Sequence, residues 1–175
     1  MISILLVGPP GSGKVSRARQ IARAWCGEAA PFRAPHHTVS ELGLVGSARL
    51  DADASALLLR QGEASLASGG TLLLDEVTEF RRSALDSLAH ALRAGYAHHA
   101  WRGVAASQET RPALLVLASN LCACGYLGSS HSRVCVCSPA SLARWTARLV
   151  EYCDVLGVTE IRAVSLVTTA SLCEK

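Results

Sequence analysis

Residues 2–14 read ISILLVGPPGSGK, which is a short apolar run followed by a glycine-rich turn and a lysine. The run Ile2–Val7 has the continuous apolar character of a strand that is buried on both faces of a parallel sheet. Beyond the turn, Lys14–Trp25 has the composition of a helix with one apolar face. A strand, a glycine-rich turn and a helix in this order predict a phosphate-binding loop of the Walker A type.

The predicted loop has the chemistry that nucleotide phosphates require. Its glycines let the backbone approach closely, and successive N–H groups together with a helix N-terminus surround the phosphates. The lysine reaches the β- and γ-phosphates. The alternative is a glycine-rich turn that binds nothing, but the strand–loop–helix context favours ATP binding. The residues predicted to contact ATP are Gly8, Pro9, Pro10, Gly11, Ser12, Gly13, Lys14 and Val15.

Val15 departs from the usual pattern of such loops. A Ser or Thr normally follows the lysine, and its hydroxyl binds Mg²⁺. Ser16 is adjacent, but one helical residue is a rotation of about 100°, so we expect its hydroxyl to point elsewhere. Two alternatives therefore remain open: Mg²⁺-dependent hydrolysis of ATP, or nucleotide binding without turnover.

Polar residues follow two further apolar runs. Thr71–Leu74 ends at the acidic pair Asp75-Glu76, as in a Walker B motif, and Ala113–Ala118 is followed by Ser119 and Asn120. Open α/β sheets bind ligands at the carboxyl edge of their strands. We predict that Asp75 holds Mg²⁺, that Glu76 polarises the attacking water as general base, and that Asn120 orients the same water. An acidic pair or an Asn after a strand is common without function; the loop upstream favours the functional reading.

The remaining elements complete an alternation of strands and helices. Helices are predicted over Ala54–Ala67, Arg81–Arg93 and Pro139–Leu149, and residues 30–50 are predicted to be loop with short extended pieces. The tail from residue 150 contains two candidate strands, VLGV and AVSLV. This alternation predicts an α/β fold with a parallel sheet.

Four of the seven cysteines lie close together in the sequence, as the pairs Cys122-x-Cys124 and Cys135-x-Cys137. Four thiolates in a tetrahedral array suit Zn²⁺. The C-x-C spacing is shorter than that of common zinc sites, so free thiols in a reducing cytosol are the alternative. His131 lies between the pairs, either as a substitute ligand or as an exposed loop residue.

Composition excludes several classes of protein. Half of the 175 residues are hydrophobic and 18% are charged, which excludes wholesale disorder. No apolar run reaches the length of about 18 residues that a membrane-spanning helix needs. The N-terminal segment lacks the basic region and cleavage site of a secretory signal, so we expect a cytoplasmic location. The net charge of +3 is spread without blocks of like charge and indicates no partner.

Several blocks of sequence carry a resemblance to a known family. In chain order they are GPPGSGK (8–14), PFRAPHHTVS (31–40), GEASLASGGTLLLDEVTEF (62–80) and CACGYLG…CVCSPASLARWTARL (122–149). Together they resemble the ATPase core of the magnesium-chelatase-like AAA+ family, and most closely its competence-protein branch. The second and fourth blocks are far more specific than a phosphate loop alone. The resemblance covers about residues 2–149.

The resemblance implies a P-loop NTPase core, a three-layer sandwich around a parallel sheet. It implies that the loop holds ATP, Asp75 the metal and Glu76 the water, and that Asn120 acts as sensor 1. It also implies homo-oligomeric rings and, for this branch, ATP-driven DNA helicase and branch-migration work in transformation. Ring ATPases usually need an arginine from the neighbouring subunit. The candidates here are Arg102, Arg111, Arg144 and Arg148.

The chain departs from the family pattern at several places. The family has Thr at the position of Val15 and prolines at those of Leu121 and Ala123, and its sequence after residue 149 differs. We therefore expect an ATPase core at 1–149, a divergent tail at 150–175 and no helical lid. The alternative function is a catalytically impaired nucleotide-binding remnant or an assembly module without ATP turnover.

Overall fold

The computed structural model describes residues 1–51, 53, 56–101, 103–128 and 133–164. The strands are β1 (Ile2–Val7), β2 (Phe32–Arg33), β3 (Ser47–Leu50), β4 (Leu57–Arg60), β5 (Thr71–Leu74), β6 (Tyr96–Trp101), β7 (Val104–Glu109), β8 (Leu114–Ser119) and β9 (Glu160–Ala163). The helices are α1 (Lys14–Cys26), α2 (Glu41–Val45), α3 (Glu63–Leu66), α4 (Arg82–Ala94) and α5 (Pro139–Leu156), with a 3₁₀ turn at Val77–Glu79.

Five parallel strands form the central sheet in the order β2-β5-β8-β1-β9. Strand β8 lies between β1 and β5, and its register pairs Ser119 with Val7 and Leu117 with Leu74. The carboxyl ends of these three strands therefore lie side by side at one edge of the sheet. The predicted α/β fold with a parallel sheet is confirmed.

Helices pack on both faces of this sheet and make three layers. One face places Leu72 and Leu117 against Leu85 and Leu88 of α4, in a cluster that also includes Tyr152 of α5. The other face belongs to a second cluster, in which apolar strand residues pack with Ala18 of α1. Successive strand residues point to opposite faces, which explains why the central strands are almost entirely apolar.

The predicted helix Ala54–Ala67 is wrong. Residues 57–60 form strand β4, which pairs antiparallel with β3, and only Glu63–Leu66 is helical. Gly62 separates the two elements, and a Cβ at this position would meet Gly46 N at 2.2 Å. The tertiary contact between these two glycines requires a break where the apolar pattern suggested a continuous helix. Residues 54 and 55 lie outside the described residues.

A second hairpin occupies the polar stretch before β8, where no element was predicted. Strands β6 and β7 pair antiparallel around a turn at Gly103. The hairpin packs on the β3–β4 hairpin through Gln108, whose Nε2 donates to Arg60 O and whose Oε1 accepts from Gly62 N, both at 3.4 Å. In residues 30–50, the predicted extended pieces are β2 and β3, and the short helix α2 lies between them.

The C-terminal helix runs further than predicted. It continues past Leu149 to Leu156 and ends at Gly157, which has a φ of 66°. Strand β9 then pairs with β1. The candidate strand VLGV (155–158) is wrong, because Val155 and Leu156 end α5 and Gly157 caps it. The candidate strand AVSLV begins at Ala163, the last residue of β9, and its residues 165–167 lie outside the described residues. No helix in the described part of the chain is both long and apolar enough to cross a membrane.

Candidate functional site

The carboxyl edge of the sheet holds an open cleft of about 390 Å³. It brings together the loop after β1, the acidic pair after β5 and the residue after β8. The residues that line it are Pro10, Gly11, Gly13, Lys14, Val15, Ser16, Asp75, Glu76 and Asn120. Three residues predicted to contact ATP, Gly8, Pro9 and Ser12, do not line the cleft. Ser16, which we expected to face elsewhere, is among the lining residues.

Glycines determine the shape of the loop between β1 and α1. Gly11 and Gly13 have φ values of 75° and 81°, which side chains rarely allow, and Gly13 caps the N-terminus of α1. Gly8 is needed for space, because a Cβ there would meet Ser12 Oγ at 2.7 Å. Ser12 Oγ is itself buried and has no hydrogen-bond partner among the described residues. The glycines thus shape a loop that leads directly into the N-terminus of α1, an arrangement that suits an anion.

The amine of Lys14 lies at the base of the cleft. Nζ donates to Gly8 O at 2.9 Å, to Pro9 O at 3.0 Å and to Asn120 Oδ1 at 3.0 Å. Burial lowers the pKa of Lys14, and the charges of Asp75 and Glu76 oppose that shift. The buried Lys14 cation can attract a polyanion such as a phosphate chain, and the nearby carboxylates of Asp75 and Glu76 can attract the metal ion that accompanies it.

The acidic pair has an unusual backbone. Glu76 has a φ of 52°, and no other non-glycine residue in the described ranges has a positive φ. A non-glycine residue in this region costs about 1–3 kcal/mol. Asp75 Oδ1 accepts a hydrogen bond from Glu76 N at 3.0 Å, which holds this turn. The Glu76 carboxylate is about half exposed and lines the cleft.

His37 is a residue of this site that sequence reasoning missed. Its Nδ1 lies 3.4 Å from Glu76 Oε2, and its ring contacts Phe80 edge-on with centroids 6.4 Å apart. The strand β2, which precedes it, is the neighbour of β5 in the sheet. The available signal was its place in the block PFRAPHHTVS, just after an extended piece that ends at the same edge of the sheet.

Asn120 is fixed through its backbone as well as its side chain. Its carbonyl accepts hydrogen bonds from Trp145 Nε1 at 3.2 Å and from Ser119 Oγ at 2.9 Å. Trp145 belongs to α5, so this helix anchors the end of β8. The amide oxygen of Asn120 is thereby held beside Lys14 in the cleft.

The four predicted metal ligands Cys122, Cys124, Cys135 and Cys137 come together next to the cleft. Their sulfur atoms all lie within 4.8 Å of one another. The Sγ atoms of Cys122, Cys124 and Cys135 are separated by 3.4, 3.7 and 3.6 Å. Four sulfurs placed at about 2.3 Å from Zn²⁺ in a tetrahedron are about 3.8 Å apart, so the cluster fits this ion. His131 lies outside the described residues.

The thiols of the cluster differ in acidity. Hydrogen bonds from the backbone of Tyr126 and Val136 lower the pKa of Cys124 to about 6. A backbone hydrogen bond with Cys137 lowers the pKa of Cys135, but burial and the neighbouring thiols outweigh it and raise this pKa to about 12. The backbone amide groups therefore favour a thiolate at Cys124.

Comparison with known proteins identifies the family. The family model described as magnesium chelatase, subunit ChlI, matches residues 23–154. The chain belongs to this family. The match begins after the loop 8–14, so the interpretation of that loop depends on its own sequence and geometry.

Three curated proteins share about the same sequence identity with the chain. The chain is 30% identical over 176 residues to uncharacterized protein YifB of Salmonella typhimurium and to that of Escherichia coli. It is 30% identical over 174 residues to competence protein ComM of Haemophilus influenzae. Each alignment covers 84% of this chain but only 31–32% of the relative. The chain thus spans about a third of the length of these relatives.

The three described arginine candidates of this magnesium-chelatase-family chain, Arg111, Arg144 and Arg148, do not line the cleft. Arg111 stacks over Tyr96, with its guanidinium carbon 4.9 Å from the ring centroid, and Arg148 Nη1 donates to Thr78 O at 3.4 Å. Arg144 is exposed on α5, and Arg102 lies outside the described residues. None of the three described arginines lines the cleft of its own chain.

Proposed function

We propose that this chain is the ATP-binding core of an AAA+ ATPase. One observation carries the proposal: Lys14, Asp75, Glu76 and Asn120, which come from three separate strand ends, line a single cleft at the carboxyl edge of the sheet. An unrelated glycine-rich turn would not require an acidic pair and an amide beside it. Membership of the magnesium chelatase family supports the same conclusion.

The loop and α1 supply the phosphate contacts in this proposal. Backbone N–H groups of the loop and the N-terminus of α1 would face the phosphates. Lys14 would turn from the carbonyls of Gly8 and Pro9 toward the β- and γ-phosphates. The charge of Lys14 and the partial positive charges of the N–H groups would balance the negative charge of the nucleotide.

Asp75 would hold Mg²⁺, because carboxylate oxygens are the ligands that this ion prefers. When bound, the ion neutralises charge on the phosphates. The Val15 side chain has no oxygen to offer Mg²⁺, and it packs against the core cluster that contains Ala18. Glu76 would accept a proton from the attacking water, and Asn120 would orient that water.

A second candidate function is nucleotide binding without turnover. Val15 is the observation that favours it, since the hydroxyl that normally completes the Mg²⁺ shell is missing. A chain of this kind would act as an assembly module within a ring of copies.

DNA is the partner that we propose for the assembled protein, by analogy with the competence-protein branch and its helicase and branch-migration activity. The β6–β7 hairpin adds a physical argument, because Trp101 is 60% exposed at its end. Bases of single strands stack on aromatic side chains in this way. The activity would take place in the cytoplasm, where ATP and DNA are both available.

The four cysteines are proposed to bind one Zn²⁺ ion per chain. Their sulfur geometry fits the ion, as described above. Elemental analysis of the reduced, purified protein is expected to find about one zinc per chain. If the protein contains no zinc after expression in a medium that supplies zinc, this part of the proposal is refuted.

The decisive test measures ATP binding and Mg²⁺-dependent turnover for the native chain, Val15→Thr and Glu76→Gln. The enzyme hypothesis expects turnover in the native chain and its loss in Glu76→Gln with ATP still bound. Binding without turnover that Val15→Thr restores would favour the second candidate and attribute the defect to the metal shell. Lack of ATP binding by all three proteins would overturn both candidates.

A further inference from the structure

The cysteine segment touches the phosphate loop. Gly125 lies against Pro10, so closely that a Cβ on Gly125 would meet Pro10 Cγ at 2.6 Å and Cδ at 2.7 Å. Pro10 lines the cleft. The backbone between Cys124 and Tyr126 is therefore a direct support of the loop that we propose to bind ATP.

The same segment is connected to the cleft a second time. Asn120, whose Oδ1 accepts from Lys14 Nζ, precedes Cys122 by two residues. Cys122 and Cys124 thus lie between the two contacts with the loop, one made by Asn120 and the other by Gly125. Anything that fixes these two cysteines fixes both contacts.

Several of the hydrogen bonds that hold this segment have a cysteine sulfur as their acceptor. Gly125 N donates to Cys122 O at 3.0 Å, and Leu127 N donates to Cys122 Sγ at 3.4 Å. Sulfur is a weak acceptor. A metal ion that joins Cys122 to Cys137 would add a covalent-strength link between this turn and the start of α5.

The start of α5 matters because that helix also supports the cleft. Ser138, the residue after Cys137, caps the helix by accepting a hydrogen bond from Ser141 N at 3.2 Å. Two turns further on, Trp145 donates to Asn120 O. The metal would therefore connect Cys122 and Cys124, which follow Asn120 in the sequence, to the start of α5. The same helix contacts Asn120 through Trp145, so Asn120 would be held from both sides.

We propose that the metal bound by the four cysteines sets the affinity of the cleft for ATP, by holding Gly125 against Pro10 and Asn120 beside Lys14. This inference rests on the proposed ATP-binding function. Loss of the metal releases the support of the loop while the sheet and its two apolar clusters remain folded.

The first experiment compares zinc-loaded and zinc-free protein. ATP is titrated calorimetrically without Mg²⁺, so that chelation affects only the cysteine site, and circular dichroism follows the fold. We expect zinc removal to weaken ATP binding about tenfold or more and one equivalent of Zn²⁺ to restore it. Equal affinity with and without zinc would overturn the inference and leave the ATP function intact. Failure of the zinc-loaded protein to bind ATP would overturn both.

The second experiment disturbs the contact and leaves all four ligands in place. Gly125→Ala introduces the Cβ that Pro10 cannot accommodate, so ATP affinity should fall about tenfold. Gly128→Ala is the matched control, because Gly128 also has a positive φ, 64°, but a Cβ there would meet nothing within 4 Å. The control should bind ATP as the native chain does. If Gly125→Ala binds ATP as tightly as Gly128→Ala, whatever its zinc content, the inference is wrong.

Discussion

Lys14 Nζ donates to Asn120 Oδ1 at 3.0 Å, and this bond joins the loop after β1 to the end of β8. The two residues are 106 positions apart in the sequence, yet the parallel pairing of Val7 with Ser119 places them side by side. The same register leaves Asp75 and Glu76 one strand away. The geometry of the candidate site is thus a direct consequence of the strand order.

Replacing Asn120 should impair turnover more than binding. The Asn120→Ala change removes the amide that we propose to orient the water, and loss of one such polar group costs on the order of a hundredfold in rate. ATP affinity should fall less, by about tenfold at most, because the proposed phosphate contacts of Lys14 and the loop do not include the Asn120 side chain. Steady-state kinetics in a Val15→Thr background, with Leu121→Ala as control, would measure this. Unchanged turnover would remove Asn120 from the reaction.

The contact between His37 and Glu76 predicts a positioning role for the imidazole. The His37→Ala change leaves the Glu76 carboxylate without this neighbour, so kcat should fall about tenfold while KM stays the same. His37→Gln keeps a polar group near Glu76 Oε2 and should recover part of the loss. His90→Ala is the control, since His90 is exposed on α4 and does not line the cleft. A purely structural role of His37 would lower stability in His37→Ala and leave kcat alone.

His99 predicts an acid-sensitive junction between the hairpins. Burial, with a smaller effect of His98, lowers the pKa of His99, and Gln108 Nε2 lies 2.9 Å from His99 Nε2. Because the folded-state pKa is below 6.5, the unfolded chain binds the proton more tightly. Stability is therefore complete above about pH 6.5 and is lost as the pH falls below it.

Urea denaturation at pH 7 and pH 5 tests this dependence on His99. The loss of unfolding free energy on acidification should be smaller in His99→Gln than in the native chain. His90→Gln serves as control, because His90 is exposed on α4. The same acid sensitivity in all three proteins would mean that other groups are responsible.

The end of α5 is expected to contribute to the stability of the core. Leu156 is 4% exposed and packs with Tyr152 in the larger apolar cluster. Leu156→Ala should therefore cost about 2–4 kcal/mol of unfolding free energy, whereas Val150→Ala, at a residue that is 52% exposed, should cost less than about 0.5 kcal/mol. If both changes cost equally little unfolding free energy, the helix beyond residue 149 is dispensable for stability. That outcome would agree with the predicted boundary between the ATPase core (1–149) and the tail (150–175).

The strands and long helices next to the cleft could be predicted because local sequence determines them. Strand β1 is apolar at every position except Ser3, and the last residue of α4, Ala94, is followed by the capping residue Gly95. Strand β2 could not be predicted in detail, because its two residues are extended through pairing of Phe32 with Thr71. The contact of His37 with Glu76 depends on that pairing and was therefore hidden as well.

The two hairpins could not be predicted from the sequence, for a similar reason. The residues of β6 and β7 lack an apolar alternation, and Gln108 stabilises their junction with β4 through bonds to residues far away in the sequence. The helix predicted across 54–67 failed because Gly62 must approach Gly46. The cysteine cluster, in contrast, could be predicted from spacing, whereas the contact between Gly125 and Pro10 could not.

The most direct test of the account is a calorimetric titration of ATP into three proteins: the native chain, Lys14→Met and Arg17→Met. Lys14 lies in the cleft, while Arg17 is exposed three residues further along α1 and pairs with Gln20. Loss of a charged hydrogen-bond donor costs about 1.5–3 kcal/mol, so Lys14→Met should bind ATP about 10- to 100-fold more weakly. The native chain and Arg17→Met should bind alike. Equal affinity in all three proteins, or no binding by the native chain, would contradict the account.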